Sequence, residues 1–169
     1  MSYEPTITPQ IIFDFNTKSI LENWKIIDDV VMGGMSSSTF ILNNKGYGVF
    51  KGEISLDNNG GFSSVRYTTS KIDLREFTKI VLKIKGDGNN YQFRIKTNSN
   101  DQHSFIAPFS TSGDWQNIEF YLKDLYPSFR GRKLEQSNFD DDYFEAISLL
   151  IGNKRKEIFK LLIDKIELC

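Results

Sequence analysis

Cysteine occurs once, as the final residue Cys169, and histidine once, as His103, in a chain of 169 residues. A lone cysteine closes no internal disulfide and builds no cysteine-based metal site, so stability cannot depend on oxidation. A single histidine supplies neither a multi-histidine zinc site nor, with the cysteine at the chain end, a Cys-His nucleophile pair. His103 therefore reads as a satisfied or exposed strand residue, and neither a cofactor nor a metal is expected. No apolar run approaches the roughly 20 residues of a membrane helix, so no membrane insertion is expected either. Charge of one sign is also missing. The 21 basic and 22 acidic residues leave a formal net charge of −1. Such a chain has no global field to draw nucleic acid or an anionic membrane, and nucleic acid is an unfavoured partner unless a local patch binds it. The N-terminal residues carry neither a secretory signal nor an arginine-rich transit pattern, from which a cytoplasmic protein is expected. Residues 1–9 read as a flexible arm on a single domain spanning 1–169.

Large rings and period-two alternation take the place of these missing features. Hydrophobic residues make up 39% and aromatics 14%, with 14 phenylalanines, a composition suited to filling the space between two sheets. Ile80, Leu82 and Ile84 alternate with Lys79, Lys83 and Lys85. After Gly86-Asp87-Gly88, Tyr91, Phe93 and Ile95 alternate with Gln92, Arg94 and Lys96. The two runs read as an antiparallel hairpin with one oily and one basic face. Rougher strand candidates cover 10–15, 24–31, 38–42, 47–56, 62–68, 104–109, 115–122, 146–151 and 158–168, about eleven in all. Of the four prolines, only Pro108 falls in such a run, which predicts an edge strand or a strand end there. Helical signals are confined to one or two turns at 17–23, 73–77, 122–126 and 140–144. The expected fold is all-β: a two-sheet antiparallel sandwich of jelly-roll type, with residues 127–142 as a long surface loop.

Three glycine clusters punctuate the strands: Gly33-Gly34 after Asp28-Asp29, Gly60-Gly61 after Asn58-Asn59, and Gly86-Asp87-Gly88. The last lacks the dinucleotide fingerprint and precedes a strand rather than a helix, so phosphate binding is disfavoured. All three are read as structural glycines that allow turns and close backbone approach, with a minor role for their loops in lining a ligand groove. Asp28 and Asp29 are adjacent on a strand, point to opposite faces, and are poor candidates for one catalytic carboxylate pair. Alternation places Arg66 and Arg94 on outward sheet faces, where forked contacts could hold an acidic partner segment or an anionic ligand. The outward lysines read as solvated or ion-paired. Phe129-Arg130-Gly131-Arg132 offers an aromatic flanked by arginines, either an interface anchor or a plug folded back on the domain. Lys154-Arg155-Lys156 reads as an exposed hairpin tip.

The motifs Asp28-Asp29-Val30-Val31-Met32-Gly33-Gly34-Met35-Ser36, Asn58-Asn59-Gly60-Gly61-Phe62-Ser63-Ser64-Val65-Arg66, Lys85-Gly86-Asp87-Gly88-Asn89-Asn90-Tyr91 and Phe129-Arg130-Gly131-Arg132 occur in this order. Together they resemble the complex I intermediate-associated protein family over residues 13–168, a family with a galactose-binding-domain-like β-jelly roll. The resemblance implies a domain without catalytic function, acting as an assembly factor or chaperone. Its implied partner is a protein, such as a subunit of a respiratory or other multisubunit complex, with Asp29, Arg66, Arg94, Phe129 and Arg130 as contacts. Two rivals stand beside it. A carbohydrate-binding module would stack sugars on Trp24, Tyr47, Tyr91 or Trp115, although large aromatics are more often core residues. RNA binding would use the basic hairpin. Related carbohydrate-binding jelly rolls often carry a structural calcium where Asp14 and Asp164 fall, but two acids do not make a calcium site and a metal-free fold is favoured.

Overall fold

The computed structural model describes residues 8–29, 34–57 and 61–169. Thirteen strands run through the chain: β1 (Gln10–Asp14), β2 (Trp24–Asp28), β3 (Ser37–Leu42), β4 (Gly48–Ile54), β5 (Ser63–Asp73), β6 (Lys79–Lys85), β7 (Asn90–Lys96), β8 (Ser104–Ser110), β9 (Trp115–Tyr121), β10 (Tyr126–Phe129), β11 (Arg132–Lys133), β12 (Tyr143–Ile151) and β13 (Glu157–Leu168). They form two antiparallel sheets. One is six-stranded in the order β3-β4-β13-β6-β9, with β1 also pairing β13; the other is seven-stranded in the order β11-β10-β8-β7-β12-β5-β2. Among the described residues helical structure is limited to short 3-10 turns such as Leu122–Asp124, and no helix is long and apolar enough to cross a membrane.

The core lies between the sheets and is built by the alternating residues. Ile80, Leu82 and Ile84 of β6 and Phe93 and Ile95 of β7 are completely buried. Phe93 stacks on Phe120 of β9 with ring centroids 4.8 Å apart, a contact that joins the two sheets. A second aromatic group, Phe13, Phe15, Trp24, Phe40 and Tyr67, closes the end of the sandwich around Trp24. Offset and edge-on ring contacts of this kind add to the stabilisation from apolar burial alone.

The β6–β7 hairpin is not formed. β6 pairs with β13 and β9, whereas β7 pairs with β12 and β8 in the other sheet. The chain crosses between sheets at Gly86–Asn89, so the oily sides of β6 and β7 face each other across the core instead of lying side by side. Lys83 and Arg94 are consequently on opposite outer surfaces of the domain. Gly86 permits the crossing, because a Cβ there would overlap the side chain of Thr111, and Thr111 Oγ1 accepts the Gly88 N–H (3.0 Å). Gly88 has φ +89°, as the turn requires.

The stretch at 127–142 is a loop only in its second part, 134–142; its first part forms strands. β10 pairs with β8 and turns into β11 through Arg130 (φ +49°) and Gly131 (φ +78°), with Phe129 opposite Arg132. Positive φ at both central residues is the mark of a two-residue hairpin turn matched to strand twist. Pro108 pairs with Gln92, while β10 covers only Ser104 to Ile106, so Pro108 occupies an uncovered edge as expected. Of the predicted helical turns, only that at Leu122 is helical; 73–77 is a hydrogen-bonded turn and Tyr143–Ile151 is strand.

Candidate functional site

Asp29 follows β2 and is almost completely buried. Its carboxylate collects donors from two loops. Ser36 N–H donates to Oδ1 (3.0 Å), and Ser36 Oγ–H (2.5 Å), Gly61 N–H (2.5 Å) and Phe62 N–H (3.2 Å) donate to Oδ2. Burial raises the pKa of this carboxyl, but the hydrogen bonds from Ser36, Gly61 and Phe62 more than offset it and the net displacement is downward. Asp29 is thus the knot that ties the first glycine motif to the second. It stands apart from the arginines and offers almost no surface to a partner. Asp28 points the other way, as adjacent strand residues must, and accepts from Ser38 (2.9 Å) and Ser63.

Gly34 completes the knot by close approach, not by an unusual φ. Its N–H donates to the Asp29 carbonyl (2.8 Å), and a Cβ would lie 2.5 Å from Asp29 Oδ1. Gly61 has φ +148°, whereas Gly33 and Gly60 lie outside the described residues. Gly34→Ala should displace the carboxylate and cost about 2 kcal/mol or more, read as a lowered midpoint in chemical denaturation. An unchanged midpoint would show that the close packing is dispensable.

The outer face of the seven-stranded sheet is the candidate site. Register places Lys25, Arg66, Ser148, Arg94, Ile106 and Tyr126 in one row across β2, β5, β12, β7, β8 and β10. Lys96 lies two residues from Arg94 on the same face. Arg94 is oriented by Gln92 Oε1, which accepts from Nε (3.1 Å) and Nη2 (2.7 Å). Arg66 Nε is buried and has no acceptor. Burial lowers the pKa of Arg66; burial and then the charge of Arg66 lower that of Arg94, against an opposing effect of Tyr126. Lys96 is lowered by burial first and then by Arg66 and Arg94, and its ammonium donates to the Asp101 carbonyl. Three crowded cations therefore share one half-buried face.

The other outer face shows what an ordinary charged surface looks like in this domain. On the six-stranded sheet Lys79 pairs with Glu119 (2.9 Å), Lys83 with Asp164 (3.2 Å) and Lys165 with Glu167 (3.8 Å). Among the described ion pairs, none involves Arg66, Arg94 or Lys96. The paired lysines match the solvated reading of that face. The unpaired arginines do not, since partly buried cations without carboxylates are costly unless something else supplies the negative charge.

The remaining candidates are dispersed. Phe129 is half-buried at the end of β10, with the Arg130 guanidinium 5.2 Å from its ring centroid at the exposed hairpin tip. By strand parity Phe129 points away from the row that holds Tyr126. Lys133, opposite Ser128, reaches over the Tyr126 ring (5.5 Å), extending the cationic face to the sheet edge. His103 packs edge-on against Phe105 (5.3 Å). Trp24 and Tyr91 are core residues, whereas Trp115 is exposed beside Tyr47 (4.7 Å) on the six-stranded sheet. Among the described residues, no group of three or more His, Cys, Asp or Glu side chains gathers to hold a metal. Lys25, Ser148, Tyr126 and Lys133 had no signal in the linear pattern, because each joins the face only through register with another strand.

Solved structures share this architecture. A family 11 carbohydrate-binding module from Clostridium thermocellum, in complex with a β-1,3-1,4-mixed-linked tetrasaccharide, superposes with a TM-score of 0.73 at 19% identity, covering 97% of this chain and 96% of that one. An exo-β-agarase superposes with a TM-score of 0.64 at 13% identity over 95% of this chain and 24% of its own. At such identities the shared property is the fold. In sequence, the mitochondrial complex I intermediate-associated protein 30 of Drosophila melanogaster is 23% identical over 146 residues, 72% of this chain and 49% of that protein. A probable counterpart from Caenorhabditis briggsae is 24% identical over 182 aligned positions, 93% of this chain and 53% of its own. The chain spans about half the length of these relatives. The model of the family "Complex I intermediate-associated protein 30 (CIA30)" matches residues 13–163, most of the β-sandwich just described, and the chain belongs to that family.

Proposed function

We propose that this domain is a non-catalytic binding module, an assembly factor or chaperone that holds a protein subunit of a multisubunit complex through the outer face of its seven-stranded sheet. The observation that carries the reading is the row containing Arg66 and Arg94, two half-buried guanidiniums with no carboxylate partner among the described ion pairs. Membership of a family named for association with complex I intermediates supports a respiratory subunit as the partner. Phe129 and Arg130 would add contacts at the sheet edge, while Asp29 would act by holding the loops in shape. The relatives are named as mitochondrial; a cytoplasmic location is part of the proposal for this chain, and fractionation of native cells decides it.

Affinity capture from the native organism tests the partner. The wild-type domain should recover subunits of one complex, and Arg66→Gln with Arg94→Gln should reduce recovery about tenfold or more with a nearly unchanged melt. Undiminished recovery by the double variant would sink the assignment of this face. Carbohydrate binding is the rival, favoured by the fold match to a carbohydrate-binding module. Against it, the proposed row contains one aromatic, the half-buried Tyr126, and the exposed Trp115 is on the other sheet. Saturable binding of purified protein to a glycan array, surviving the double variant, would replace the assembly reading.

A further inference from the structure

The cationic row has a length, a direction and a composition that describe a ligand. Adjacent strands lie about 4.8 Å apart, so the five steps from Lys25 to Tyr126 span about 24 Å across the sheet. Lys25 and Arg66 occupy neighbouring strands, and Arg94 follows two strands later with Ser148 between. Ile106 and Tyr126 then continue the row, and Lys133 stands over the Tyr126 ring at its end. Positive groups therefore recur along the span, with the half-buried Ser148 between Arg66 and Arg94. An extended chain advances about 3.4 Å per residue, so about seven residues cover this distance.

Resting on the protein-binding reading above, we propose that this row is a track for an extended acidic segment of a partner, about seven residues long and crossing the strands, whose carboxylates are held by Arg66 and Arg94 with Lys96 beside them. Two features favour a peptide over single-stranded RNA. A base-stacking platform needs several exposed rings, and the row supplies only Tyr126. The arginine forks suit planar carboxylates, and Arg94 is already held in place by Gln92, so less side-chain freedom is lost when it binds. Arg66 has no carboxylate partner among the described ion pairs, so its guanidinium is left for a carboxylate from outside.

Fluorescence anisotropy with labelled peptides of alternating glutamate and serine tests the track. In extended form such a peptide presents all its carboxylates on one side. Affinity should rise with length up to about seven residues and then level off, and should weaken as salt is added. The glutamine-serine counterpart should not bind. Arg66→Gln with Arg94→Gln should weaken binding about tenfold or more, and Arg94→Lys should lose part of it by removing the fork while keeping the charge. Lys79→Gln with Lys83→Gln removes the same charge from the opposite sheet and should change nothing. Absence of saturable binding, equal losses in the two double variants, or tighter binding of an oligouridylate of equal length would each overturn the track. Subunit capture that depends on these arginines without peptide binding would overturn the track and leave the assembly reading standing. Peptide binding without capture would support the track and overturn that reading.

Discussion

Asp29→Ala is expected to lower the unfolding free energy by about 3 kcal/mol or more, because it leaves several buried donors unpaired at once. Ser36 N–H, Gly61 N–H and Phe62 N–H all lose their acceptor, and the two loops lose the group that joins them. The effect should depend on pH. The folded carboxyl titrates below its ordinary value of 3.8, so its stabilisation is present in full above that value and is lost as pH falls through the lower folded pKa. Wild-type stability should therefore decline from about pH 5 downward, and Asp29→Asn should make that decline shallower. Asp73, held down to about 2 by hydrogen bonds from Arg75, gives a slope of the same sign at the surface, but it is present in both proteins and cancels in their difference. Denaturation midpoints measured across this range decide the matter: identical slopes for wild type and Asp29→Asn would mean that the carboxylate is not what the loops depend on.

Phe93→Ala should cost about 3–5 kcal/mol, as expected for removing a buried aromatic ring. Phe93 is completely buried, and its stacking on Phe120 is a contact between the sheets, so the cavity opens where neither strand can close it without moving its whole ladder. Arg94, the next residue along β7, faces outward, and Arg94→Gln should change stability little while affecting binding. Equilibrium denaturation of both variants tests the register directly. A loss below about 1 kcal/mol for Phe93→Ala, or a larger loss for Arg94→Gln, would contradict the placement of the two faces.

Period-two alternation was sufficient to tell which side of each strand is oily. Ile80, Leu82, Ile84, Phe93 and Ile95 are buried as that pattern requires, because burial of one face is a local consequence of strand geometry. The glycine motifs were equally legible as points of close approach: Gly34 against Asp29 and Gly86 against Thr111 leave no room for a Cβ. The two-stranded piece Tyr126–Phe129 with Arg132–Lys133 leaves no pattern in the sequence, since strands this short carry too few residues to show a period.

Sequence alone therefore determined the all-β sandwich, the residues that fill it and the outward position of Arg66 and Arg94. Only the tertiary structure decided which sheet each strand joined. An oily face on β6 and another on β7 satisfy burial equally well side by side in one sheet or opposed across a core, and the alternation is the same in both cases. The choice of opposed strands put Lys83 and Arg94 on different surfaces, gave Lys83 a carboxylate partner in Asp164, and left Arg94 in a row with Arg66. The role of Asp29 was decided in the same way. Its four donors come from Ser36, Gly61 and Phe62, and the last two are more than thirty residues away along the chain. Hydrogen bonding over such distances depends on how the loops meet in space, which no spacing in the chain records.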